Sequence, residues 1–227
     1  MLAEPEIRSG VCRIHSDNPC SGVEFPVPAG RQTRKPHYMT ASEQERIELC
    51  ALGYLRNAVC IIAEMGLRPY KELMSMRKSQ VDFENRLVHI PDSKTPSGEG
   101  DMPMTDAAWR AFQAQYEKTP STEYLFPSPK RKTTKPYITT LKKVWKSTLG
   151  KAGVQYFPLY ELQHTFATRL SAGGVADHFV SQMLRQADAG IFKRYSHAKL
   201  NMMREALERL DRRANEHGEN SGTAKPS

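Results

Sequence analysis

Leu159, Leu162, Phe166 and Leu170 recur at helical spacing in LYELQHTFATRL, with the polar pair Gln163 and His164 beside them. Upstream, Thr40 followed by Glu43 fits a capping box. A helix is therefore expected to open there and run through GYLRNAVCIIAEM, where Gly66 can stop it. Pro69 suits the first turn of a second helix, which puts Arg68 at its mouth. RLVHI (86–90) has strand character, and SKTPSGEGD (93–101) is a turn-rich loop before MPM. Residues 106–116 read as helical, and YLFP as a short extended piece. Further helices are expected at about 138–152, 160–172, 176–185 and 199–216. Helices, then a small antiparallel sheet, then helices make the expected fold class α+β, mostly α.

The ends differ in character from this middle. Residues 1–38 are rich in Pro, Gly and Ser with little periodicity, and read as a linker or the tail of something upstream. One domain is expected over 39–216, and the segment 217–227 is disordered by composition. At 39% hydrophobic residues the chain can bury a real core. Cys12, Cys20, Cys50 and Cys60 show neither C-x-x-C pairing nor matched histidines, so reduced thiols are expected and no metal. No signal pattern and no membrane-length apolar run is present, which points to a cytoplasmic protein without a membrane partner.

Charge changes the picture most. The net charge is +8 and the pI about 9.3, so a polyanion is the first partner to consider. No acidic residue lies between Glu123 and Glu161, yet Lys130, Arg131, Lys132, Lys135, Lys142, Lys143, Lys146 and Lys151 all do, with Tyr137 and Trp145 interleaved. A solvated face usually mixes signs, so this one-sided stretch points to phosphate contact.

No phosphate-cradling glycine loop, H-E-x-x-H or carboxylate cluster for metal is present. What stands out is Arg68 at a helix entrance, Lys94 in a loop between strands, and Tyr195 in FKRYSHA. In order, GLRPYKELMSMRKSQVD, a strand and SKT, LYELQHTFATRLSAGG, VSQMLRQ and FKRYSHA resemble the catalytic domain of the tyrosine recombinases, or phage-type integrases, over about residues 38–210. NPCSGV resembles the segment leaving that family's core-binding domain, which makes 1–38 a linker or remnant of such a domain. The resemblance implies site-specific DNA recombination or integration through a 3′-phosphotyrosyl intermediate, needing neither metal nor cofactor. It assigns Tyr195 as nucleophile, Arg68 as a phosphate clamp and Lys94 as general acid. It also implies double-stranded DNA as the partner and self-association on it as dimers or tetramers, with the C-terminal helix docking either in a neighbour or on its own domain.

Three positions depart from the family pattern. Tyr160 stands where a histidine is common, Gln163 where a second arginine clamps the phosphate, and Gln186 where an L-G-H motif places its histidine. His164 matches the histidine that often follows the second arginine. Glutamine donates hydrogen bonds but brings no charge and no bidentate fork. Arg169 lies six residues along the helix and turns to another face; Arg185, next to Gln186, is the better-placed substitute. Two readings therefore stand: a metal-independent DNA strand transferase weakened by Gln163 and Gln186, or a decayed remnant that binds DNA as an accessory. An unrelated basic helical protein, such as an RNA binder, is disfavoured by the ordered motifs.

Overall fold

The computed structural model describes residues 36–91, 100–130, 134–185 and 196–213, with side chains of the last stretch from Met202 onward. The expectations for 1–35 and 214–227 lie outside the described residues. The chain enters through His37, whose ring stacks on Phe157 at 4.3 Å and whose backbone N–H donates to Glu161. Met39 N–H donates to Thr165 Oγ1, so the entry segment is tied to a helix more than a hundred residues away.

Thr40 caps α1 (Ala41–Cys50) with both bonds of the capping box in place. The single helix expected from Thr40 to Met65 is in fact two. Ala51 and Leu52 take extended backbone, Ala51 is buried, and a second helix, α2 (Gly53–Met65), starts at Gly53. Tertiary burial overrides the continuous local pattern here. In α2, Leu55, Ala58, Val59, Ile61, Ile62 and Met65 are fully buried, each larger one contributing about 1.5–3 kcal/mol. The helix packs against α3 (Asp106–Glu117) and α5 (Leu162–Ala172), making it the centre of the core.

The buried polar groups of α2 are satisfied across those interfaces. Asn57 donates to Gln115 at 3.1 Å, and Gln115 donates to the Leu125 carbonyl at 2.7 Å. Glu64 accepts from Thr105 and, through both carboxylate oxygens, from Arg212. Arg169 on α5 is fully buried, and its guanidinium has no hydrogen-bond partner among the described residues. Burial holds that group below its ordinary range while Glu64 opposes the shift.

Three antiparallel strands, β1 (Val81–Asp82), β2 (Leu87–Ile90) and β3 (Gly100–Pro103), form the small sheet in that order. Val88 pairs with both Val81 and Met102, which fixes the register and turns Val88, Ile90 and Met102 into the core. The expected extended piece at YLFP makes only isolated pairings, Arg77 with Tyr124 and Pro127 with Tyr137. The helix expected from 138 begins later, as α4 (Lys142–Lys151). A tight turn at Leu159–Glu161 leads into α5, and α6 covers Asp177–Met183. The last helix, α7 (Ser196–Glu208), starts and ends earlier than its expected 199–216. Its end docks on its own domain: Ala206, Leu207 and Leu210 are buried, and Asp211 N–H donates to the Arg169 carbonyl. No helix among the described residues is long and apolar enough to cross a membrane.

Gly66 ends α2 in the left-handed conformation, φ 61°, with its N–H on the Ile62 carbonyl. A Cβ there would meet the Phe166 ring at 2.4 Å and Leu184 at 2.9 Å. Gly66→Ala should therefore cost about 2–5 kcal/mol, left-handed strain plus overpacking. Urea unfolding measures this; a loss under 1 kcal/mol would show that Phe166 and Leu184 yield freely.

Candidate functional site

The chain leaves α2 at Gly66 and immediately enters a single π-helical turn, Pro69–Leu73. Arg68 stands at the mouth of this turn in extended backbone, with Pro69 supplying the first helical position. The turn brings Glu72 back over Arg68. Arg68 donates to Glu72 from its backbone N–H at 2.7 Å and from Nη1 at 3.4 Å. Its Nη2 donates to the Arg185 carbonyl at 3.1 Å. The Arg68 side chain is 23% exposed, and its Nε and one N–H of each terminal nitrogen make no further bond among the described residues.

A second guanidinium closes the cluster from the other side. Arg185 follows α6 and donates to Glu72 from Nε at 3.0 Å and Nη2 at 2.7 Å, a bidentate pair. It also donates to the Gly66 carbonyl at 3.0 Å and the Met183 carbonyl at 2.7 Å, and Nη1 touches the Met102 sulfur of β3 at 3.3 Å. Burial pushes the Arg185 guanidinium below its ordinary range, and Glu72 opposes that shift. Glu72 is itself buried, so both charges are matched out of water.

Gln163, on the first turn of α5, is 2% exposed and donates from Nε2 to the Gly66 carbonyl at 2.7 Å. Its Oε1 has no partner among the described residues. Gln163 and Arg185 thus share one acceptor, and Gln163 meets Arg68 only through Gly66 and the Arg185–Glu72 pair. Tyr160, 46% exposed, and His164 lie one helical turn apart with rings edge to face at 6.0 Å. Neither bonds to the Arg68 cluster. The structure therefore brings together Arg68 and Gln163 and leaves Tyr160 and His164 as a separate surface pair. Lys94, Gln186 and Tyr195 lie outside the described residues. Glu72 and Arg185 are the residues on which the cluster turns. The fourth position after Arg68 was the available signal for Glu72; Arg185 figured in the sequence reading as a substitute clamp, whereas its donors are all spent on protein.

The basic stretch is split between two settings. On α4, Lys142, Lys143, Lys146 and Lys151 are exposed opposite buried Trp145, Thr148 and Leu149. Lys130, Lys135, Lys142 and Lys143 line an open groove of about 1450 Å³ together with Tyr54, Tyr137 and Lys118. Lys118, at the end of α3, is a groove cation that the acid-free stretch does not contain. Lys135 lies over the Tyr137 ring at 5.7 Å. Arg131 and Lys132 lie outside the described residues. Tyr70, two residues after Arg68, accepts from Leu141 N–H at 3.4 Å, joining the arginine turn to the start of α4. Among the described residues no group of His, Cys, Asp and Glu could hold a metal ion.

Comparison with known proteins agrees with this architecture. The model of the phage integrase family matches residues 37–202. The integrase of Salmonella phage P22 is 22% identical over 200 residues, covering 83% of this chain and 50% of that protein. The chain thus spans about half the length of the curated relative it matches. Among solved structures, the integrase from mycobacterium phage Brujita gives a TM-score of 0.60 at 21% identity, covering 78% of this chain and 58% of that one. XerA recombinase gives 0.57 at 24% identity, covering 75% and 64%. The Tn1549 transposon integrase, solved in complex with a circular intermediate DNA, gives 0.58 at 20% identity, covering 79% and 67%. At these identities the likeness establishes the fold.

Glu72→Gln tests the cluster directly. It removes the anion between two guanidiniums, one of them buried, and should cost about 3–5 kcal/mol of stability. Chemical denaturation measures it; a cost below 1 kcal/mol would mean that water already screens the pair.

Proposed function

This chain belongs to the phage integrase family, and we propose that it carries out DNA strand transfer by tyrosine-recombinase chemistry, with residues 39–216 as the catalytic domain. The observation that carries the reading is Arg68, fixed by Glu72 and the Arg185 carbonyl at a partly exposed position, with N–H groups that no other described residue engages. Such a guanidinium suits the non-bridging oxygens of a phosphodiester, where charge builds during attack. In this reading the Tyr195 oxygen attacks phosphorus, a 3′-phosphotyrosyl bond forms, and the bond to the 5′-oxygen breaks. Lys94 protonates that leaving oxygen. Because one ester is exchanged for another, the step needs no nucleotide cofactor. Gln186 supplies a hydrogen bond to the phosphate, whereas Tyr160 and His164 stand apart from the Arg68 cluster as a surface pair. A cytoplasmic location and assembly as dimers or tetramers on DNA go with the same reading.

The basic groove and the exposed lysines of α4 are assigned to the DNA backbone. Each phosphate neutralised should steepen the fall of log affinity with log salt by about 0.9. Replacing Lys142, Lys143 and Lys146 by alanine should flatten the slope in proportion and weaken binding to all duplexes alike. A slope identical to the parent's would return these lysines to a solvated face.

One observation favours a second reading, binding without strand transfer. Gln163 brings no charge, and every Arg185 N–H is engaged with protein, so Arg68 is the one cation of this cluster left with donors to spare among the described residues. Covalent trapping on nicked duplexes carrying the DNA that flanks the gene separates the two. Strand transfer predicts a covalent complex that Tyr195→Phe abolishes and Arg68→Ala lowers by about 10²–10³-fold, with DNA still bound. Binding with no covalent product, in the unmodified protein, would select the second reading.

A further inference from the structure

Arg185 combines features that ordinary surface arginines do not. It holds a left-handed backbone, φ 56°, although it bears a Cβ. Its side chain is only 7% exposed, and all five N–H groups are spent: two on Glu72, one each on the carbonyls of Gly66 and Met183, one against the Met102 sulfur. None remains for a substrate. Its backbone carbonyl, meanwhile, accepts from Arg68 Nη2. Arg185 therefore grips Arg68 twice, directly through that carbonyl and indirectly through Glu72.

The carboxylate of Glu72 is saturated by this arrangement. Oε1 accepts from Arg68 Nη1 and Arg185 Nε, and Oε2 from Arg68 N–H and Arg185 Nη2. Gln163 donates to the same Gly66 carbonyl as Arg185, from a buried position. A longer, charged side chain at 163 would meet a guanidinium already in place, with no anion left to share.

We propose that Arg185 is the positioning residue for Arg68, acting through Glu72 and its own carbonyl, and that it occupies the cation site that makes position 163 neutral. Residues 163 and 185 are then one unit in which a single arginine fits. The proposal rests on the reading of Arg68 as the phosphate-binding group, but part of its test needs no DNA.

The first arm is the NMR signal of the Arg68 Nε–H, assigned by its loss in Arg68→Lys. Arg185→Met should shift and broaden this signal as the guanidinium begins to reorient, while Arg185→Lys, which can still meet one Glu72 oxygen, should recover part of the original line. An unmoved Arg68 signal in folded Arg185→Met overturns the positioning role. The second arm is a double-substitution cycle on nicked duplexes carrying the DNA that flanks the gene. Gln163→Arg alone should lower covalent complex formation, since it crowds two cations, and Arg185→Gly alone should lower it by about 10²-fold, the effect of losing one preorganised contact. The combined variant should return to within about tenfold of the parent, with DNA affinity nearly constant throughout. Effects that simply multiply would show that the two positions are independent and overturn the shared-site claim. Melting temperatures of the same four proteins report the coupling without DNA. They decide the claim about 163 and 185 even if the parent cleaves nothing, an outcome that would overturn the strand-transfer reading alone.

Discussion

The carboxylate of Glu72 is the interaction on which the site depends. It is buried, it binds two guanidiniums through both oxygens, and one of those guanidiniums is itself buried. Taking the Glu72 carboxylate and the Arg185 guanidinium out of water is costly, and the arrangement is stable only because every Glu72 oxygen and every Arg185 N–H is used. That demand for completeness explains the surroundings. Gly66 must present its carbonyl from a left-handed cap, α6 must end with Met183 presenting its carbonyl, and β3 must bring Met102 alongside. The elements meeting here come from the first helices, the sheet and the last helices of the domain, so the cluster ties together parts of the chain far apart in sequence.

The same cluster accounts for the division of labour among the arginines. Arg68 is anchored on one side and open on the other, which is what a group that meets a phosphate requires. Arg185 is spent entirely on structure. Gln163, next to both, can be neutral because Arg185 already supplies the positive charge at the Gly66 carbonyl. Among the described residues Gln163 Oε1 has no partner, and a buried acceptor left so costs about 1–3 kcal/mol.

Much of this could be read before the fold was known. The capping box at Thr40 and the glycine stop at Gly66 are local signals that produced the expected backbone, whereas the helix expected from Pro69 is a single π-helical turn, Pro69–Leu73. The α+β class and the antiparallel sheet followed from periodicity in the same way. The break at Ala51–Leu52 was not legible, because burial of Ala51 and the packing of two helices against different partners leave no local mark. Nor was the role of Arg185. A left-handed arginine after a short helix looks like a surface residue in one dimension, and only the return of Glu72 on its π-helical turn shows where its charge is matched. Arg169 went unread for the same reason: its helix face could be placed, but not its complete burial near Glu64.

In the proposed reaction Arg68, held by the Glu72–Arg185 pair, presents a phosphate to the Tyr195 hydroxyl. The most direct measurement is mass spectrometric mapping of the protein after incubation with nicked duplex and digestion with trypsin. Cleavage after Arg194 and Lys199 releases the peptide YSHAK, residues 195–199. A nucleotide joined through phosphate to Tyr195 is expected in that peptide, falling by about 10²–10³-fold in Arg68→Ala. A nucleotide on any other residue, or DNA retained with every tyrosine unmodified, would contradict it.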